Sequence, residues 1–161
     1  MDTYSCSKKV KAILIIITLA LVAFAFIHSS MPADISEEES GNVLEFLEKF
    51  LSFIGFTPDL TDHIVRKVAH FSEYTAIGAM LMSCAFAFDK LKPYKYYINV
   101  MFCGLATAVC DETIQLNVEG RAGMITDVLL DFSGVLFGSL IMLAVFMIYK
   151  KHFVSKIKTK N

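Results

Sequence analysis

The chain has 161 residues, of which 55 % are hydrophobic, with a mean hydropathy of +0.56 and a net charge of −1. That length suffices for one domain, and so much apolar surface exceeds what a soluble domain of this size needs. The near-neutral charge gives no bulk case for nucleic-acid binding. Of the four cysteines, Cys84, Cys103 and Cys110 lie in apolar blocks, Cys6 lies in the N-terminal tail, and no C-x-x-C spacing occurs. The thiols therefore read as small hydrophobes, with neither a disulfide framework nor a thiolate metal site.

The apolar residues come in long blocks, the pattern of transmembrane helices, which need roughly 20 apolar residues each. Four spans are predicted, at about Val10–His28, His63–Phe88, Tyr97–Gln115 and Asp127–Tyr149. The first is expected to be a retained anchor rather than a cleaved signal peptide, because its apolar core is long. An outer loop, 29–62, follows. In it Ser36, with Glu39 three residues on, matches a capping box. From about residue 37 to 55 the loop reads as an amphipathic helix, with Val43, Phe46, Leu47, Phe50, Phe53 and Ile54 on one face. Such a stripe is expected to pack on the outer end of the bundle or to rest in the lipid headgroup layer.

Charge assigns the topology. The N-terminal tail, the loop between spans two and three, and the C-terminal tail together hold eleven of the fifteen basic residues. The loop 29–62 has eight acids and only Lys49 as a base. The positive-inside rule then places both termini in the cytoplasm and the acidic loop outside. The fold class expected is all-α: a polytopic four-transmembrane-helix bundle with an extracytoplasmic amphipathic helix, forming a single membrane domain over 1–161.

Polar residues gather at the outer end of three spans. On a helical wheel with Arg66 at zero, Glu73, His70, Tyr74 and Lys67 fall at about −20°, +40°, +80° and +100°. At the end of span three, Asp111, Glu112 and Gln115 share an arc of about 100°, with Gly104 and Ala108 deeper on that face. Next comes a short turn in which Gly120 and Gly123 flank Arg121, with Thr126 placed to cap the following helix. Span four opens with Asp127, Asp131, Gly134 and Gly138 in one stripe, and Gly134-x-x-x-Gly138 is a small-residue packing motif. Ionisable groups at membrane depth normally face a bundle interior or a water-filled cavity. A polar cleft between spans two, three and four, open to the outside, is therefore expected. Glu73, Asp111, Glu112, Asp127 and Asp131 outnumber Arg66, Lys67 and Arg121, even with His70 added. A helix N-terminus, a protonated carboxyl or a bound divalent cation can offset that surplus.

These residues carry a resemblance. "KVAHFSEYTAIGAML", "DETIQ" and "GRAGMITDVLLDFSGVLFG" resemble the signature of the VanZ-like family, small bacterial membrane proteins named for a glycopeptide-resistance accessory protein. The match spans about residues 66–138, roughly half of the chain. Lys67, His70, Glu73, Tyr74, Asp111, Glu112, Gln115, Arg121, Asp127 and Asp131 fall on its motif positions. Asp131 stands where many members have Asn. The resemblance implies a cell-envelope role linked to teicoplanin-type resistance, and it brings no settled chemistry.

Three readings of the cleft follow. In the first it binds the headgroup of a membrane lipid or lipid-linked cell-wall precursor, with Arg66, Lys67, Tyr74, Gln115, Arg121 and Asp131 as ligand-binding residues. The second is an intramembrane hydrolase or transferase acting on a lipid-linked phosphate. There His70 or Glu73 serves as acid or base, and Asp111, Glu112 and Asp127 hold a divalent metal. No nucleophile motif accompanies them, and Ser72 points away from the stripe. A proton or ion path is the weakest reading, because the cytoplasmic halves of the spans offer no polar continuation. Beside all three stands a plainer role, ion pairs that pin helix ends.

Overall fold

The computed structural model describes residues 5–53 and 61–158, and all its regular structure is helical. The elements are α1 (Lys8–Ser29), α2 (Ala33–Phe53), α3 (Asp62–Phe88), a 3-10 turn (Pro93–Tyr96), α4 (Tyr97–Gln115) and α5 (Ile125–Lys158). Among the described residues α1, α3 and residues 125–151 of α5 are long and apolar enough to cross a bilayer, which marks a multi-pass membrane protein. α4 has 19 residues, about 28 Å of helix, and carries Asp111 and Glu112 near its C-terminal end.

Local chemistry sets the helix ends. The Ser7 hydroxyl accepts from Val10 N–H to cap α1, and Thr61 does the same for α3 through Ile64 N–H. At the exit of α3, Asp89 Oδ1 accepts from the N–H groups of Leu91 and Lys92, which turns the chain into the Pro93 segment. Two expected caps are displaced. α2 begins at Ala33, so Ser36 lies inside the helix, its N–H donating to Pro32 O. The proline supplies the start, because it cannot donate and its fixed φ suits a helix entry. α5 likewise begins at Ile125, and Thr126 lies in its first turn. α2 is described as far as Phe53; the expected helix residues Ile54 and Gly55 lie outside the described residues.

α3 and α5 form the closest pair, and glycine is the reason. A Cβ on Gly138 would overlap the Thr75 carbonyl, one on Gly134 would meet Phe71 O at 2.6 Å, and one on Gly78 would strike Val135 O. Gly104 leaves room on α4 for the Val135 side chain. Without a hydrophobic force between helices in lipid, this close approach is what holds such a bundle together. Tyr74, Ile77, Ala25, Ala108 and Val135 form the core that results. Hydroxyls within the apolar helices satisfy themselves locally: Thr18, Thr75, Ser83 and Thr107 each donate to the carbonyl four residues back.

The helix ends sort into two groups. Cys6 N–H donates to Ala87 O, Lys11 Nζ lies 4.7 Å from the Phe88 ring, and Phe86 stacks on Phe146 at 4.0 Å. The N-terminal tail, the lysine-rich turn after α3 and the far part of α5 therefore share one end of the bundle. The end of α1, the start of α3, the end of α4 and the start of α5 share the other. Large apolar side chains such as Ile16, Leu19, Ile98, Phe102 and Ile148 face outward between these ends. α2 leaves part of its apolar stripe exposed, with Phe46 at 68 % and Phe53 at 88 %. Glu45 and Lys49, one turn apart on α2 and both exposed, pair at 2.6 Å. The hydrogen bond from Lys49, reinforced by its charge, holds the Glu45 carboxyl below its ordinary range.

Candidate functional site

The polar residues of four helices meet at the end opposite the lysines. Their supporting frame is the segment 116–124, which folds back on α4. Gly120 adopts φ +76°, the left-handed conformation glycine accepts most readily. Gly123 sits where a Cβ would meet Glu112 O at 2.8 Å. The fold-back lets Met124 N–H donate to Glu112 Oε2 at 3.0 Å, and Arg121 Nη2 reaches the His28 carbonyl at 3.5 Å. Ala33 N–H donates to Glu119 O, which ties the start of α2 to the same segment.

A cavity of about 220 Å³ opens here. Arg66, Lys67 and His63 of α3, Arg121 of the fold-back segment and Asp127 of α5 contribute to its walls, with His70, Glu112, Gln115 and Asp131. Lys67 Nζ donates to Asp127 Oδ1 at 3.0 Å, a partly exposed pair. Deeper in, His70 Nδ1 faces Asp131 Oδ1 at 3.8 Å and Asp111 Oδ2 at 3.9 Å. Asp111 and Asp131 are 0 % and 1 % exposed. Asp111 Oδ2 accepts from Ser29 Oγ at 2.8 Å, and Gln115 Nε2 lies 3.2 Å from the same oxygen and 3.3 Å from Glu112 Oε1.

Of the residues singled out in the sequence, Arg66, Lys67, His70, Glu112, Gln115, Arg121, Asp127 and Asp131 all line this cavity. Asp111 does not line it and lies 3.9 Å from His70. Glu73 is half-buried, within electrostatic range of His28 and Asp111, and it does not line the cavity. Tyr74 is fully buried in the core, its hydroxyl 3.5 Å from Thr107 O. Asp111 is thus grouped with His70 and Asp131, whereas Glu112 is held by Met124 and Gln115, and Asp127 by Lys67.

α1 also builds the site, beyond the three spans expected. Ser29, 1 % exposed, bonds Asp111. His28 stacks on Phe24, with its ring centroid 6.1 Å from that of His70. The sequence signal was present: "HSS" ends the first apolar run on the same side as the other polar stripes. Only the packing of α1 against α3 and α4 turns it inward.

Chemically, the site offers guanidinium and ammonium donors at the cavity wall and a histidine against two buried carboxyl groups at depth. Comparison with known families matches residues 14–148 to the VanZ/LLP1 family model, extending the likeness well beyond the signature motifs. No match is found among curated proteins or among solved structures. With most of its length matched and most of its motif residues gathered around one cavity, the chain belongs to the VanZ/LLP1 family.

Proposed function

We propose that this protein acts in the bacterial cell envelope, where its polar cavity binds the anionic headgroup of a membrane lipid or lipid-linked cell-wall precursor. By doing so it contributes to glycopeptide and lipoglycopeptide resistance of the teicoplanin type. The observation that carries this reading is the cavity itself, with Arg66, Lys67 and Arg121 on its walls at one end of an apolar bundle. Arg121 is the residue best suited to a phosphate, because guanidinium can donate two parallel hydrogen bonds. The arrangement in the membrane has α4 as a fourth span, both termini in the cytoplasm and the cavity open to the outer surface. Three lysine-bearing segments at the opposite end support that orientation. α2 lies outside, with its exposed apolar stripe in the headgroup layer.

A second reading is an intramembrane hydrolase or transferase acting on a lipid-linked phosphate. The observation favouring it is His70 within 4 Å of two buried carboxyl groups, the setting of an acid–base group. Deleting the gene tests the first reading: glycopeptide susceptibility is expected to rise, and unchanged susceptibility with unchanged envelope composition counts against it. In purified protein, Arg121→Gln is expected to weaken binding of vesicles containing anionic phospholipid by about tenfold, the loss expected of one charge-assisted hydrogen bond. Turnover of a lipid-linked phosphate, lost on His70→Gln, would favour the second reading.

A further inference from the structure

Where His70 and Asp131 line the cavity, three buried side chains converge from three helices. His70 of α3, Asp111 of α4 and Asp131 of α5 each present a ligand atom within 4.8 Å of the other two. We propose that these three residues bind a single first-row divalent cation, zinc or manganese, with its open coordination position facing the cavity.

The donor set fits. One imidazole nitrogen with carboxylate oxygens suits zinc and manganese, and three protein ligands leave a position for an outside oxygen. The geometry is close to what an ion needs. Three atoms so spaced admit a point no more than about 2.8 Å from each, against bonds of roughly 2.0–2.2 Å for zinc to nitrogen or oxygen. Side-chain shifts of less than about 1 Å close that gap, within reach of ordinary torsional adjustment.

A second observation points to a ligand independently of the clustering. Both carboxyl oxygens of Asp131 and Oδ1 of Asp111 are buried and have no hydrogen-bond partner. Such atoms are costly to leave unsatisfied in a low-dielectric interior. Asp131 Oδ1 is the oxygen that faces His70 Nδ1 at 3.8 Å, so a cation beside it would give this side chain a partner. The supporting contacts are also in place, since Ser29 and Gln115 hold Asp111 Oδ2, the kind of outer bonding that orients a ligating carboxylate. His70 and Asp131 line the cavity and Asp111 does not. An incoming water or phosphate oxygen would therefore reach an ion there from the cavity side.

Metal retention is separable from headgroup binding, because the ion is measured without lipid ligand. Untagged protein in detergent is stripped with chelator, equilibrated separately with Zn²⁺ and Mn²⁺, passed through a desalting column and assayed for bound metal. About one ion per chain is expected, as for a single three-ligand site. Asp131→Asn and His70→Gln should lose it, and Asp127→Asn should keep it. X-ray absorption of the zinc-loaded wild-type protein, which depends on no variant folding, should give a shell of oxygen and a single imidazole without sulfur. Failure to retain either metal overturns the proposal. So does retention unchanged in both ligand variants, or a zinc shell containing sulfur or several imidazoles.

Discussion

Ser29 illustrates how much a single hydroxyl does in this site. It donates the shortest hydrogen bond to Asp111, which is fully buried. Removing it leaves that oxygen with Gln115 as its remaining donor among the contacts described. Ser29→Ala is expected to destabilise the protein by about 1–2 kcal/mol, because a buried acceptor loses a partner that water cannot replace. Ser30 is the control: it is exposed, it caps the end of α1, and its hydroxyl donates to the Phe26 carbonyl of that helix. Ser30→Ala should stay within about 0.5 kcal/mol of the parent. Unfolding in detergent micelles measures both, and equal effects would show that the Ser29–Asp111 bond adds nothing.

At the scale of elements, glycine has opposite consequences in two helices. An alanine ordinarily stabilises a helix interior by about 1 kcal/mol relative to glycine. Among the described residues, the nearest atom to a hypothetical Cβ on Gly41 in α2 is Asp62 Oδ1 at 3.9 Å, an ordinary contact. Gly41→Ala should therefore stabilise the protein by about 0.5–1 kcal/mol. At Gly138 the obstruction is the Thr75 backbone, so α3 and α5 must separate. The lost packing outweighs the propensity gain, and Gly138→Ala should cost a net 1–3 kcal/mol or so. Opposite signs in one unfolding assay would establish that α3–α5 contact, rather than local helix preference, sets the stability of the pair. The glycine spacing was readable in the sequence. Its partner was not, because spacing alone cannot say which neighbouring helix approaches.

On the scale of the whole molecule, segregation of charge is the dominant feature. The lysine-bearing N-terminal tail and the lysine-rich turn after α3 lie at one end and the polar cavity at the other, with outward-facing apolar side chains between. Ionisable groups are tolerated because they face one another at a helix-end cavity rather than lipid. The proposed orientation has a direct test in a cysteine-free background. Glu119→Cys should react with an impermeant maleimide in intact cells, and Lys92→Cys only after permeabilisation. The two positions flank α4, so labelling of both from the same side would also remove α4 from the list of spans.

Several properties followed from residue order alone. Apolar runs of membrane length identified α1, α3 and α5, and the motif residues from Arg66 to Asp131 named most of the cavity wall. Both signals are local: they depend on composition and on angular spacing within one helix. The caps at Ser36 and Thr126 were misplaced because Pro32 and the 116–124 fold-back start those helices two to four residues earlier. What tertiary structure decided is which stripes meet. It buried Tyr74 in the core, brought Ser29 and His28 of α1 to the site, and grouped His70 with Asp111 and Asp131 while Lys67 engaged Asp127. A helical wheel fixes the direction of a side chain about its own axis. The distance to a side chain on another helix depends on how closely the backbones approach, and here glycines at 78, 134 and 138 set that approach.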